Sequence, residues 1–141
     1  MPAHPDAPPA LLVVDDEEMV TRLVARYFRH LGYTVLTAAS GEEALAMVRS
    51  RRPPIDLVLS DVVMPGMSGT ELAGWLLAEY PTPAVVLMTG QLPDDVERVR
   101  IDGHIVPVWH KPLDLDRTEA MLRRMLPALP PADDSELRDT S

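Results

Sequence analysis

Leu11-Leu12-Val13-Val14-Asp15-Asp16-Glu17-Glu18 decides the fold: four apolar residues run straight into four acids. An apolar run this short and uniform reads as a strand covered on both faces, the habit of parallel sheets flanked by helices. Beyond the acids the period changes. Met19, Val20, Leu23, Val24, Tyr27, Phe28 and Leu31 fall at helical spacing, and Gly32 suits the left-handed residue that closes a helix. The acids therefore stand where a buried strand hands over to a helix.

The alternation continues outward. Thr34 to Ala38 is β-branched and apolar, a second strand. Ser40-Gly41-Glu42-Glu43 has the form of a capping box opening a helix that carries Ala44, Leu45 and Val48. Pro53-Pro54 precede a third strand, Ile55 to Ser60, and a helix from about Ser68 to Tyr80 sets Leu72, Leu76 and Leu77 on one side. Ala84 to Met88 is a fourth strand. Pro93 to about Arg100 is predicted as a short helix with Val96 and Val99 inward. Ile105, Val106, Val108 and Trp109 form a fifth strand, at an edge because Pro107 lies inside it. Asp114 caps a last helix with Met121, Leu122, Met125 and Leu126 inward. Five strands alternating with five helices give an α/β fold with a parallel sheet and helices on both faces.

Length and composition agree. At 141 residues and 46% apolar, the chain has room for one full-sized core. It has no cysteine, which removes disulfides, thiolate zinc sites and cysteine nucleophiles. The net charge of −9 argues against non-specific binding to nucleic acid or to an anionic membrane. No apolar run approaches a membrane span, and the first residues lack a signal peptide's basic start and apolar middle, so a cytoplasmic protein is expected. Prolines concentrate at both ends, dividing the chain into a flexible arm (1–9), a folded body (10–127) and a disordered acidic tail (128–141). After Leu126 no output domain is expected. The Met1 start favours a stand-alone protein over a fragment of a larger kinase.

In a sheet of this kind ligands sit outside the carboxyl ends of the strands. Those ends carry Asp15-Asp16, Asp61, Thr89-Gly90 and Trp109-His110-Lys111-Pro112, Lys111 being the only lysine beside twelve arginines. Singly, each has a bland reading: an acid pair serves as a helix N-cap, Asp61 as a turn residue, Thr89 as a β-branched strand end. Together they do not. Three carboxylates about 5 Å apart repel by roughly 3 kcal/mol per pair at an effective dielectric near 20. A domain with only ~5–15 kcal/mol of stability needs that offset. Lys111 offsets part, and a hard divalent cation held by oxygen ligands offsets the rest. Such a cation beside a lysine and a hydroxyl is the equipment of phosphoryl transfer.

Asp15-Asp16, Asp61-Val62-Val63-Met64-Pro65-Gly66-Met67-Ser68-Gly69, Leu87-Met88-Thr89-Gly90 and Lys111-Pro112 resemble, in order and spacing, the receiver domain of two-component response regulators, from about Ala10 to Leu126. The resemblance implies a flavodoxin-like, doubly wound, five-stranded parallel sheet of order 2-1-3-4-5. It implies that Asp61 is the phospho-acceptor, taking a phosphoryl group from a histidine kinase or a histidine phosphotransfer protein. Asp16, Asp61 and the Val63 backbone carbonyl would ligate Mg²⁺, with Asp15 acting through water. Lys111 would pair with Asp61 and then with a phosphoryl oxygen, Thr89 would move to another, and the Lys111–Pro112 bond would be cis. The chain would catalyse only its own phosphorylation and dephosphorylation, and would signal through a protein-binding face of fourth helix, fifth strand and fifth helix.

One departure stands out. Three positions before the lysine, where the family usually has an aromatic residue that swings inward with the threonine, this chain has Val108. Trp109 should face the opposite way and serve packing, while His110 and His30 are read as structural. Two alternatives remain beside the receiver: a phosphorylation-independent interaction module, and a phosphohydrolase with an aspartate nucleophile. The second lacks the Asp-x-Asp that such phosphatases place after the first strand.

Overall fold

The computed structural model describes residues 8–50, 54–79, 83–93 and 95–126. The expected acidic tail lies outside them, as does the arm except for Pro8 and Pro9. Pro9 is buried and its carbonyl accepts the N–H of Thr34 at 3.1 Å. Within these bounds the chain runs β1 (Ala10–Val14), α1 (Glu18–His30), β2 (Thr34–Ala38), α2 (Gly41–Ser50), β3 (Leu57–Asp61), α3 (Gly69–Glu79), β4 (Ala84–Thr89), β5 (Arg98–Ile101), β6 (His104–His110) and α4 (Leu115–Met125). The strands form one sheet in the order β2-β1-β3-β4-β6-β5. The first five are parallel, and β5 joins β6 antiparallel.

Strand alternation divides the core in two. Leu12, Val14, Val58, Val85, Leu87 and Val108 face one apolar cluster with α2 and α3. Leu11, Val13, Leu57, Leu59, Val86, Met88 and Trp109 face the other, with Phe28 of α1 and Leu122 of α4. A strand covered on both faces has no polar side to show, which is why β1 and β3 are buried at every position. Phe28 is fully buried, a contribution of about 3 kcal/mol.

Local chemistry sets the element ends. Gly32 follows α1 at φ 104°, the left-handed C-terminal position expected of it. Ser40 Oγ accepts from the Glu43 N–H at 3.1 Å, while the Glu43 carboxylate reaches back to the Ala39 N–H at 2.8 Å. Asp114 caps α4 through the Arg117 N–H. The inward stripe of α1 is narrower than its spacing predicts. Val24, Ala25 and Phe28 are buried with Thr21, whereas Met19 and Leu23 lie on the flank and are exposed.

The segment from Pro93 to Gly103 departs most from expectation. Among its described residues there is no helix. Arg98–Ile101 is a strand, turned by Asp102 (φ 48°) and Gly103 (φ 85°) into β6, with Ile101 opposite His104 and Arg98 opposite Pro107. Two consecutive left-handed residues make the two-residue turn that matches the natural twist of a hairpin, and Asp-Gly is a preferred sequence for it. The sheet therefore has six strands, not five, and four helices are described, not five. β6 is not the edge that Pro107 suggested. Its ladder to β4 starts at Val108, one residue later, so Pro107 lies outside that ladder. The helix expected between β4 and β6 on the protein-binding face is therefore not found among the described residues; a hairpin stands in its place.

Candidate functional site

Every parallel strand except β2 delivers a polar group to the same rim. β1 ends just before Asp15 and Asp16, β3 ends on Asp61, β4 on Thr89, and β6 one residue before Lys111. Ladder bonds continue past the strand ends and fix these residues: Asp15 N–H to the Ala38 carbonyl, Val62 N–H to Met88, and Lys111 N–H to Thr89 at 2.9 Å.

Side chains then converge. The Lys111 ammonium donates to Asp15 Oδ2 at 2.7 Å and lies 3.3 Å from Asp61 Oδ2. Carboxylate oxygens of Asp15, Asp16 and Asp61 all lie within 4.8 Å of one another. Asp15 and Asp61 are buried and Asp16 is exposed. The N-cap reading of the acid pair does not apply: α1 is preceded by Glu17 with no side-chain cap, and Asp15 Oδ1 instead accepts the Glu17 N–H at 2.9 Å. Glu17 itself, which the sequence did not single out, stands 3.8 Å from Lys111 and lines the cleft. Its only advance signal is membership of the acidic run.

Thr89 lines the cleft, and its Oγ1 accepts the Gln91 N–H at 3.0 Å, a bond that does not use the hydroxyl hydrogen. The cleft is about 410 Å³ and is bounded by Asp16, Asp61, Val63, Thr89, Gln91 and Lys111. The Lys111–Pro112 bond is cis. Behind the acceptor, Gly69 packs so tightly that a Cβ there would stand 2.1 Å from the Asp61 carbonyl oxygen. Gly66 takes φ 74°, a conformation that favours glycine. His110 is structural, with Nε2 2.6 Å from the Val96 carbonyl. Trp109 packs in the cluster opposite Val108, as alternation requires.

The electrostatics are unbalanced. Burial, then the negative charge of Asp15, pushes the Asp61 carboxyl above its ordinary value, against the opposing pull of Lys111 and of the Val63 N–H. Burial alone would lower Lys111; the hydrogen bond and charge of Asp15, with Asp61, outweigh it and hold the ammonium above the usual lysine range. The three clustered aspartates against one ammonium leave two negative charges, to which Glu17 at the rim adds a third, an excess that favours a divalent cation. The donor set is all oxygen, on an open cleft. The site therefore fits a hard metal ion.

The response regulator receiver domain profile matches residues 11–123. The chain belongs to the response regulator receiver domain family. Among curated relatives, the receiver is 34% identical over 122 residues to the probable transcriptional regulatory protein TcrX of Mycobacterium tuberculosis, covering 84% of this chain and 50% of that protein. It is likewise 34% identical to the transcriptional regulatory protein AfsQ1 of Streptomyces coelicolor, covering 82% and 52%. The chain thus spans about half the length of these curated relatives. Among solved structures, the receiver domain of the hybrid histidine kinase CckA superposes with a TM-score of 0.69 at 33% identity, covering 83% of this chain and 98% of that one. The chemotaxis protein CheY4 of Vibrio cholerae gives 0.71 at 26%, covering 85% and 100%. Receivers are signalling modules that interact with histidine kinases. Among the described residues, no helix of this receiver is long and apolar enough to cross a membrane.

Proposed function

We propose that this chain accepts a phosphoryl group on Asp61 from a phosphohistidine of a sensor kinase or a phosphotransfer protein, in a Mg²⁺-dependent reaction, and so switches a protein-binding surface. The observation that carries the reading is the placement of Lys111 within 3.3 Å of Asp61, with Asp15 and Asp16 within 4.8 Å of the same acid.

A carboxylate is a poor nucleophile toward phosphorus while two anions face each other. Mg²⁺, held by Asp16, Asp61 and the Val63 carbonyl, with Asp15 through water, would supply the charge that suppresses this repulsion. An Asp61 oxygen attacks phosphorus, the new O–P bond forms as the P–N bond breaks, and the histidine nitrogen keeps the departing electron pair. Lys111 is already positioned to turn from the Asp61 carboxylate to a phosphoryl oxygen. The Thr89 hydroxyl, whose lone pair is engaged by Gln91, has its hydrogen free to donate to another. Val63 and Gln91 flank the acceptor and the hydroxyl, where they govern access of hydrolytic water.

The body of the receiver, residues 10–127, would act as one unit in the cytoplasm. A phosphorylation-independent interaction module is the second reading, favoured by one observation: Trp109 lies on the wrong face of β6 to follow Thr89, and Val108 is not aromatic. Two measurements separate them. Acetyl phosphate with Mg²⁺ should label the chain once, and Asp61→Asn should abolish the label; persistent labelling of that variant elsewhere overturns the assignment. Beryllofluoride with Mg²⁺ should change tryptophan fluorescence, and an unchanged signal supports the second reading.

A further inference from the structure

We propose that the outer edge of β5 is a docking edge for an extended segment of a partner protein in which acidic and apolar residues alternate. β5 terminates the sheet, and among the described residues no strand pairs with its far side. An edge strand presents a row of unpaired N–H and C=O groups, a template for one more strand. Its two faces differ. Val99 and Ile101 are half-buried against the cluster shared with α3. Arg98 and Arg100 point the other way, are exposed, and form no ion pair with the described residues. They are two of only thirteen basic residues in a chain of net charge −9.

A strand added to this edge places its residues directly beside those of β5, on the same alternating faces. Residues opposite Arg98 and Arg100 would therefore be acidic. Those between them would lie on the side of Val99 and Ile101, where an open cleft of about 470 Å³ separates the end of β5 from α3. Ile101 forms one wall of that cleft and the half-exposed Trp75 the other, over Gly74, whose missing side chain leaves it open. Thr70, Glu71 and Asp102 complete the lining, so apolar side chains fit against the Ile101 and Trp75 walls.

A second copy of this chain does not meet the same demand. Any antiparallel β5–β5 register that keeps Val99 and Ile101 on the inner face, and pairs at least three strand residues, sets arginine opposite arginine. Like charges directly opposite are destabilising.

The test is an NMR titration of the full chain with a seven-residue peptide alternating glutamate and valine, and with its lysine–valine counterpart. The glutamate peptide should shift the β5 amides and slow exchange at Arg98 and Arg100, whose N–H groups point away from β6. Arg98→Glu with Arg100→Glu should weaken it about tenfold and transfer preference to the lysine peptide. Arg98→Gln with Arg100→Gln, which removes charge without reversing it, should give an intermediate loss if the reversed variant misfolds. The proposal falls if the glutamate peptide leaves β5 unshifted, or if wild type binds both peptides equally. It falls also if β5 protection depends on protein concentration, which assigns the edge to a second copy. Loss of β5 protection on deletion of residues 127–141 would assign it to the chain's own acidic segment, with the same consequence. No phosphorylation is needed, so the outcome is independent of the Asp61 assignment.

Discussion

Lys111 donates to Asp15 at 2.7 Å, closer than its 3.3 Å approach to Asp61, so the lysine of the site is first a partner of the most buried acid. The Asp15 side chain is fully buried, and removing its cation strands a charge there. Lys111→Met should cost about 3 kcal/mol in urea denaturation without magnesium. Because the folded-state Lys111 is held above its ordinary value, its contribution is complete below roughly pH 10 and disappears as pH rises through the raised value. Excess magnesium should restore part of the loss at neutral pH. A variant as stable as wild type in metal-free buffer would contradict the pairing.

Three places differ in how legible they are in the sequence. The rim was legible because strand ends and chemistry coincide: an apolar run fixes where β1, β3, β4 and β6 stop, and the polar residue at or just beyond each stop is thereby placed on one edge. The hairpin departs from the predicted helix although its signal is present in the sequence. Val96 and Val99 suggest a helical stripe, but Arg98-Val99-Arg100-Ile101 alternates with period two and runs into Asp102-Gly103, a type of turn that demands two left-handed residues. A three-residue apolar spacing outweighed a stronger turn signal. The Lys111–Asp15 preference was not legible at all, since a difference of 0.6 Å between two acids depends on packing rather than pattern.

Asp61 is destabilising in its charged form. Its carboxyl is raised by burial and by Asp15, so the folded state binds a proton more readily than the unfolded chain does. Stability therefore falls as pH rises from the ordinary aspartate value of ~3.9 through the raised one. Asp61→Asn should melt higher than wild type at pH 7 without magnesium, by about 2–5 °C. The advantage should vanish well below about pH 4, where Asp61 is protonated in both the folded and the unfolded chain. Added magnesium should raise the wild-type melting temperature more than the variant's. Scanning calorimetry across pH checks all three, and a variant that melts lower at neutral pH would refute the electrostatic account.

Gly69 closes the turn after β3, its own N–H donating to the Val62 carbonyl at 2.9 Å. A methyl group there meets Asp61 backbone rather than a flexible side chain, so the acceptor strand or α3 has to move. Gly69→Ala should cost about 1–3 kcal/mol and slow labelling by acetyl phosphate, because the displaced atoms belong to the acceptor itself. Gly74→Ala is the control: its added Cβ would come no closer than 3.4 Å to Asp102 Oδ2, which should leave both labelling and stability near wild type. Equal behaviour of the two variants would show that the Asp61 backbone tolerates the shift.

His110 ends β6 one residue before Lys111, and its ring nitrogen reaches the Val96 carbonyl at 2.6 Å, fourteen residues back. Val108 N–H adds a second tie to the same stretch, donating to the Glu97 carbonyl at 2.9 Å. Together they fasten the start of the hairpin to the strand that carries the lysine. His110→Phe keeps the ring volume and removes one tie, worth about 1 kcal/mol where the freed carbonyl is only half-shielded from water. The loss should be local, because few contacts besides β6 hold the hairpin. Amide exchange at Val99 and Ile101, whose N–H groups face β6, should accelerate about fivefold, while Leu12, Val13 and Leu59 in the parallel sheet keep their protection. Acceleration spread evenly over both regions would mean that β5 opens only with the whole domain, and that no separate hairpin motion exists to be modulated from the site.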